Sequence, residues 1–240
     1  MKKFKFIIFL YMLISNTLIA QTNVKLWDFN FTFGINLDKG NTERIGCSIS
    51  LDIKRSSKVD KFIINMNAYY SESENKKDKN KGDFTLKYDY DFLKNESFFI
   101  FILPSYNEFQ NLKLRMQNGI GLKHTFYKTS KADYSLSGAL IYELKQYLDV
   151  EKKEEINRLS LRPKIKYSFN KGGKFYFVMF YQPKIDEWQD YRILSEFILE
   201  FNIYKNLFFE FKVTDEYNNI VLQDIKRNDL SIMNSIKLRL

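Results

Sequence analysis

The sequence predicts an all-β protein, a twelve-stranded antiparallel transmembrane β-barrel of the outer-membrane type. Three observations lead to this prediction. Apolar and polar residues alternate with a period of two along twelve segments. The polar connections between these segments alternate between short and long. The first twenty residues have the layout of an export signal. A chain with 17% aromatic residues is also too rich in them to be disordered.

The N-terminus has the layout of a secretory signal. Lys2, Lys3 and Lys5 precede an apolar run over residues 6–14, and small residues then lead to Ala20. We expect residues 1–20 to be a signal peptide that is cleaved before Gln21, and residues 21–240 to form the barrel. The signal carries three lysines and no acid, so its removal lowers the net charge from +9 to +6 (9 − 3).

Twelve segments of the remaining chain are predicted to be strands, because successive side chains of a strand point to opposite faces. The alternation is clearest in the first, where Phe29, Phe31 and Phe33 flank Asn30 and Thr32, and in the second, fourth and eighth segments. The phase is open in the fifth and ninth, where both faces are apolar or aromatic. The segments are 26–37, 43–54, 61–71, 83–92, 97–107, 113–126, 133–144, 157–169, 174–183, 191–203, 207–215 and 229–240.

Two further patterns concern prolines and connections. Pro104 and Pro163 fall inside strands, where each removes a ladder donor, so we expect local bulges there. The connection 38–42 is short, whereas later connections alternate in length, as in barrels with short periplasmic turns and longer extracellular loops. Long connections are predicted at 72–82, 145–156, 184–190 and 216–228, an intermediate one at 108–112, and short ones at 55–60, 93–96, 127–132, 170–173 and 204–206.

The apolar face could point inward, as in a soluble secreted β-protein, or outward to lipid. Segments of 9–12 residues match the length of a tilted membrane-spanning strand. Aromatic residues at the segment ends are typical of interfacial girdles, and they favour the membrane barrel with its termini in the periplasm. The residues assigned to the girdles are Trp27, Tyr69, Tyr70, Tyr88, Tyr90, Tyr127, Tyr134, Tyr142, Tyr167, Tyr181, Tyr204 and Tyr217.

Several short motifs resemble a known bacterial family. They are Trp27 followed by Gly34, the turn 39–44 (Lys-Gly-Asn-Thr-Glu-Arg), the stretch 87–90 (Lys-Tyr-Asp-Tyr), the stretch 108–112 (Glu-Phe-Gln-Asn-Leu) and the stretch 119–122 (Gly-Ile-Gly-Leu). The sequence is similar in these motifs to uncharacterised outer-membrane barrels of unknown function, described as salt-induced outer-membrane proteins. The resemblance implies an outer-membrane barrel. It supplies no catalytic residues.

Residues that could carry chemistry are few. One His and one Cys cannot build a zinc site of the Cys/His type, and neither a cofactor nor a metal is expected. His124 is predicted to face lipid, and Phe126 stands two positions on, where outer-membrane phospholipases carry serine. The carboxylates Asp89 and Asp91, like Glu196 and Glu200, share a face but have no convergent partner for acid–base catalysis. We therefore expect no enzymatic activity.

The polar face instead predicts a charged lumen. Two interpretations are open: a basic stripe that favours anions in a pore, and a salt-bridge network that plugs a narrow barrel. The candidate residues, all on the predicted polar face, are Arg158, Arg162, Lys164, Lys166, Glu196, Glu200, Glu210 and Lys212.

The function expected from these patterns is a narrow channel for small solutes or ions, or a structural or stress-related envelope protein. A lipid-modifying enzyme and a surface receptor or adhesin are the alternatives. The expected location is the outer membrane of a Gram-negative bacterium, reached by export through the inner membrane. Outer-membrane lipids are the expected partners, with the barrel-assembly machinery during insertion. The basic residues are spread over the chain, so no nucleic-acid partner is expected.

Overall fold

The structure, a computed structural model, describes residues 26–39, 44–73, 76–149, 151, 153–169, 172–221 and 225–240. These residues form twelve antiparallel strands in one closed barrel, in which β1 pairs with β12. The predicted signal peptide lies outside them. The strands are β1 Trp27–Lys39, β2 Arg44–Ser56, β3 Asp60–Ser73, β4 Lys76–Asp91, β5 Glu96–Asn107, β6 Leu112–Lys128, β7 Ala132–Tyr147, β8 Lys153–Ser168, β9 Lys174–Pro183, β10 Tyr191–Tyr204, β11 Leu207–Asn218 and β12 Asn228–Arg239.

The predicted fold class and the order of the strands are confirmed, but three predicted loops were too long. β3 extends to Ser73, and β4 begins at Lys76. β7 extends to Tyr147, and β11 extends to Asn218. The polar ends of these hairpins do not alternate between apolar and polar residues, so periodicity misses them. Their backbone groups still pair across the hairpin. The difference in length between the two sets of connections is consequently smaller than predicted.

We call the end of the barrel that carries Trp27 and Leu240 the terminal end, and the opposite end the loop end. The terminal end carries the connections that follow β2, β4, β6, β8 and β10. Among the described residues, a short 3₁₀ helix, Glu108–Gln110, lies in the β5–β6 connection at the loop end. No helix in the described ranges is long and apolar enough to cross a membrane.

The barrel exposes its apolar face and buries its polar face. In β1, Phe33 and Ile35 are 49% and 56% exposed, whereas Thr32 and Asn36, which flank them, are 3% and 6% exposed. A soluble barrel would bury the phenylalanine and isoleucine side chains inside. The outward apolar band matches a barrel that is surrounded by lipid. Closure of the barrel pairs the backbone N–H and C=O groups at the strand edges, which lipid could not hydrogen-bond.

The structure resolves the two open phases. In β5 the inward side chains include Ser97 and Phe99, and in β9 they include Val178 and Gln182, all buried. Aromatic and aliphatic side chains therefore occupy part of the lumen on these strands.

The prediction that Tyr69 belongs to an interfacial girdle is wrong. This residue is 5% exposed and points into the lumen, since residue 69 has the parity of buried Ser71 on β3.

The bulges predicted at the prolines are wrong. The β4–β5 pairing skips Pro104, and the β8–β9 pairing skips Pro163, but the register on both sides of each gap is the same. Each proline lacks one N–H, so the ladder loses bonds locally, while the flanking pairs hold the strands in register. Register shifts occur elsewhere, for example between Ser105 and Asn107 next to the 3₁₀ helix.

Two glycines of β6 make room for aromatic rings inside the lumen. Phe101 lies against Gly119, and Phe99 lies against Gly121, where an added Cβ would come within 2.6 Å of the Phe99 ring. A Cβ at Gly121 would also meet the backbone oxygen of Gly138. The side-by-side placement of ring and glycine explains why a Gly-x-Gly stretch occurs in an otherwise regular strand.

We expect Gly121→Ala to destabilise the barrel by about 1–3 kcal/mol, because the new methyl group overpacks the wall at the Phe99 ring. The measurement is the urea midpoint of unfolding in phospholipid vesicles. Gly138→Ala is the matched control, since an added Cβ there has no neighbour within 4 Å. Equal midpoints for the two variants would contradict the role assigned to Gly121.

Candidate functional site

The lumen is the candidate functional site, and the structure places all eight predicted charged residues on its wall. Arg158, Glu200 and Glu210 are 3%, 5% and 5% exposed and point inward. The other five share the inward parity of their strands, as the pairings of β8 with β9 and of β10 with β11 show. The eight side chains do not meet in one place, and seven of them divide among three groups along the lumen.

The loop-end group is centred on a carboxylate that was not among the predicted residues. Glu143 of β7 is completely buried. Its oxygens lie 3.5 Å from the guanidinium groups of Arg158 and Arg192 and 3.4 Å from the Lys145 Nζ atom. Gln117 donates a hydrogen bond of 2.6 Å to the same carboxylate. One anion thus holds cations from β7, β8 and β10 together. We name Glu143, Arg158, Arg192, Lys145 and Gln117 the Glu143 cluster.

Arg158 connects this cluster to the β9–β10 connection. Its guanidinium group donates to an Asp190 carboxylate oxygen at 2.9 Å and to the backbone oxygens of Asp190 and Gln182, each at 3.1 Å. Arg192 donates to the Gln182 side chain, at 3.0 Å through its Nε atom. Among the described residues, Arg158 thus forms ion pairs with Glu143 and Asp190 and none with the β10 acids Glu196 and Glu200.

The terminal-end group contains two of the predicted acids. The Glu200 carboxylate lies 2.9 Å from Arg239, 3.1 Å from Lys237 and 3.4 Å from Lys174. Lys237 also bridges to Glu210. The Arg239 guanidinium stacks 4.1 Å from the centre of the buried Phe208 ring. Three cations around Glu200 leave this region with more positive than negative charge.

Four of the five remaining predicted residues, all except Lys166, find partners along the wall. Lys212 of β11 lies 2.9 Å from Glu196 of β10, and Lys164 lies 3.2 Å from Asp133. Arg162 donates to the Tyr176 hydroxyl at 3.3 Å and stacks 4.9 Å from the Phe180 ring. Lys164 and Arg162 of β8 thus find partners on β7 and β9. Strand β9 separates them from the β10 acids with the largely neutral row Tyr176, Val178, Phe180 and Gln182.

Two contacts cross the lumen at the loop end. Arg115 of β6 lies 3.8 Å from Glu216 of β11, five strands away in the closed order. Gln110, next to β6, donates a hydrogen bond of 2.9 Å to Asp229 of β12 on the opposite wall. Side chains from opposite walls can meet only where the lumen is narrow, so these pairs mark a constriction. We name Arg115, Glu216, Gln110 and Asp229 the cross-lumen contacts.

The 3₁₀ helix is anchored so that Gln110 can reach across. Phe109 is 7% exposed, and its ring lies 5.7 Å from that of Tyr69. The Glu108 carboxylate accepts a hydrogen bond of 3.0 Å from the Asn80 backbone N–H. The left-handed backbone of Asn111, φ 57°, ends the helix, and its carbonyl accepts from the Leu148 N–H at 3.0 Å. The stretch 108–112, singled out from the sequence, is therefore a folded part of the mouth.

Sequence reasoning missed Glu143, Arg192 and Arg115. Each is a charged residue on the polar parity of its strand, so its inward direction was predictable. Their convergence was not, because strands β6, β7, β10 and β11 meet only after the barrel closes. Nothing in the local sequence distinguishes these residues from a charged side chain that is simply solvated.

The outer face does not assemble catalytic groups in the described part of the chain. His124 is 43% exposed in its side chain, and its Nδ1 atom lies 2.5 Å from a Glu96 carboxylate oxygen. Its ring packs edge-on against Phe126, at 4.5 Å between ring centres. Cys47 is exposed on the same apolar exterior. Among the described residues, no cluster of His, Cys, Asp or Glu could hold a metal ion.

The fold is similar to that of solved outer-membrane porins and channels. The NanC porin shares 11% sequence identity over 88% of this chain and 100% of its own, with a TM-score of 0.60. An outer-membrane channel from Pseudomonas putida F1 shares 7% identity over 92% and 100%, with a TM-score of 0.56. The KdgM porin shares 13% identity over 87% and 98%, with a TM-score of 0.51. At these identities the likeness concerns the fold.

No curated protein sequence matches the chain significantly. A family model does match, over residues 31–236, which span the barrel from β1 to β12. The fold is that of an outer-membrane-type β-barrel, and the description of the family assigns no specific role. The chain belongs to the family described as protein of unknown function, DUF481.

Proposed function

We propose that the protein is a narrow, water-filled channel for small solutes or ions in the outer membrane of a Gram-negative bacterium. The observation that carries the proposal is the charged and polar wall of the lumen within an apolar exterior. A barrel that served only as a membrane anchor could fill its interior with neutral side chains. The charges in this lumen are placed where they would contact a passing solute.

The width of the lumen supports a narrow channel. Twelve strands lie between the small barrels filled by side chains and the open sixteen-stranded porins. The cross-lumen contacts reduce the opening further at the loop end. One cavity between the β6–β7 and β11–β12 sides has a volume of about 60 Å³, and Gln110, Arg115, Lys145, Tyr147 and Asn218 are among its lining residues. Water and small ions fit such a space better than large solutes do.

The channel proposal predicts a small, stable conductance when the refolded protein is inserted into planar lipid bilayers. Liposome swelling measures the size limit with a series of saccharides. Short acidic saccharides belong in that series, because one KdgM porin structure is a complex with disordered oligogalacturonate. Folded protein is verified by the mobility difference between unheated and heated samples on a gel. Folded protein without conductance above the background of empty bilayers would refute the channel.

A second candidate role is structural or stress-related, and the ion-pair groups favour it. The Glu143 cluster and the terminal-end pairs link strands β7 to β12 by charge as well as by backbone bonds. Such links would make a barrel resistant to unfolding. A strain that lacks the protein would then lose viability under salt or detergent stress, and a non-conducting but folded variant would restore it. Rescue only by conducting variants would instead favour the channel.

We propose neither of the alternative roles as primary. A lipid-modifying enzyme of the outer face needs a nucleophile near His124, and its neighbours on that face are Glu96 and Phe126. A receptor or adhesin would use the loops at 72–82, 145–156 and 216–228. Much of these stretches belongs to regular strands, so the contact surface offered by irregular loops is smaller than the sequence predicted.

A further inference from the structure

Three lysines at the terminal end of the lumen lack the ion-pair partners that neighbouring bases have. Lys54 is on β2, Lys123 on β6 and Lys166 on β8, each within the last six residues of its strand. Lys123 points inward like its buried cross-strand neighbours Ser97 and Ser137. Lys54 has the parity of buried Ser48 on β2, and Lys166 has the parity of buried Arg158 on β8. None of the described carboxylates lies within 4.0 Å of these three ammonium groups.

The acids near these lysines are already occupied. Asp89 lies 2.7 Å from Lys87, and Asp91 lies 3.1 Å from Lys61. Asp133 is paired with Lys164, and Glu200 is surrounded by three cations. Asp28 attracts Lys54 from β1 but makes no ion pair with it. Lys54, Lys123 and Lys166 therefore keep positive charge that the protein itself does not neutralise at contact distance.

Two of the three lysines, Lys54 and Lys166, face each other across the opening, and Lys123 shares the charged neighbours Lys61 and Asp89 with Lys54. β2 and β8 are six strands apart in a ring of twelve, so Lys54 and Lys166 extend from opposite walls. Their charges are close enough to repel each other. Lys166 is further repelled by Lys174 and Arg239, and Lys123 by Lys61. Like charges that converge from several walls create a positive potential, which a shared anion relieves.

We propose that Lys54, Lys123 and Lys166 form a binding site for a small multivalent oxyanion, such as inorganic phosphate, at the terminal end of the lumen. This proposal rests on the proposed channel, because the site would lie in its path. A tetrahedral or planar oxyanion can accept hydrogen bonds from several ammonium groups at once, and hydrogen bonds between charged groups are stronger than those between neutral ones. Chloride, with a single charge, would be held less firmly.

Phosphate binding is measured by isothermal titration calorimetry on the folded protein in detergent at low salt. We expect saturable binding by the wild-type protein, and a loss of affinity of about tenfold or more in Lys54→Gln/Lys123→Gln/Lys166→Gln. The matched control is Lys58→Gln/Lys94→Gln/Lys131→Gln. It removes the same charge from exposed turns at the same end of the barrel and should retain wild-type affinity. The gel mobility shift verifies that both variants are folded.

Two results would overturn the proposal: no saturable phosphate binding by the wild-type protein, or an equal loss of affinity in both triple variants. The second would mean that only the general positive charge of this end matters. The calorimetric result does not depend on conduction. Binding that requires the three lysines, in a protein without conductance, would support the oxyanion site and refute the channel. Conductance without phosphate binding would support the channel and refute the oxyanion site.

Discussion

Glu143→Gln is expected to lower the free energy of unfolding by about 3 kcal/mol, the largest stability change predicted for the lumen. The amide has nearly the shape of the carboxylate but no charge. Arg158 and Arg192 would remain buried without their shared anion, and the cost of an uncompensated buried charge exceeds the worth of the original pair. The measurement is urea unfolding in phospholipid vesicles, followed by the fluorescence of Trp27 and Trp188.

Glu151→Gln is the control for this variant. Glu151 is an exposed residue in the β7–β8 connection, so the substitution makes the same chemical change without removing a buried partner. Its unfolding midpoint should equal that of the wild-type protein. A Glu143→Gln midpoint within error of the control would show that the Glu143 cluster is sufficiently hydrated for its cations not to need the carboxylate.

Arg115→Ala/Glu216→Ala is expected to raise single-channel conductance about twofold or more, because the pair spans the lumen at its constriction. Removing both partners leaves no unpaired charge from this contact. It also shortens one side chain from each wall, so the opening widens. The measurement is the conductance step in planar bilayers under symmetrical salt. Adding Gln110→Ala, which removes the second crossing contact, should raise it further.

The matched control for the constriction is Lys212→Ala/Glu196→Ala. This pair is also a lumen ion pair at contact distance, but it joins neighbouring strands β10 and β11 along one wall. Its removal should change conductance little. If the control and the crossing pair had the same effect, charge in the lumen rather than a constriction at the loop end would limit the current.

The strands and their faces were predictable because each rests on a local rule. Alternation in Phe29 to Phe33 specifies two faces, and it does so whichever face meets lipid. The same rule failed in β5 and β9, where Phe99 and Val178 point into the lumen among polar neighbours. It also failed at the hairpin ends near Lys76, where both faces are polar. A pattern of apolar and polar residues carries no information where the two faces have the same character.

The candidate site was predictable only in part. Parity placed Arg158 and Glu200 in the lumen, but partners depend on distances between strands. The partners of Arg158 are Glu143 and Asp190, neither of which is among the residues predicted for the lumen. The prolines show the same limit, since the loss of an N–H at Pro163 is local but the response of the register depends on both neighbouring strands.

The sequence by itself determined an antiparallel barrel of twelve strands and the direction of most side chains, because a period of two is a property of one strand. The tertiary structure decided which charges meet. Closure places β6 opposite β12 and β2 opposite β8, so Gln110 reaches Asp229, and Lys54 faces Lys166. Electrostatic energy depends on the distance between charges. In this lumen, closure of the barrel sets those distances, because it brings together residues that lie more than a hundred positions apart in the sequence.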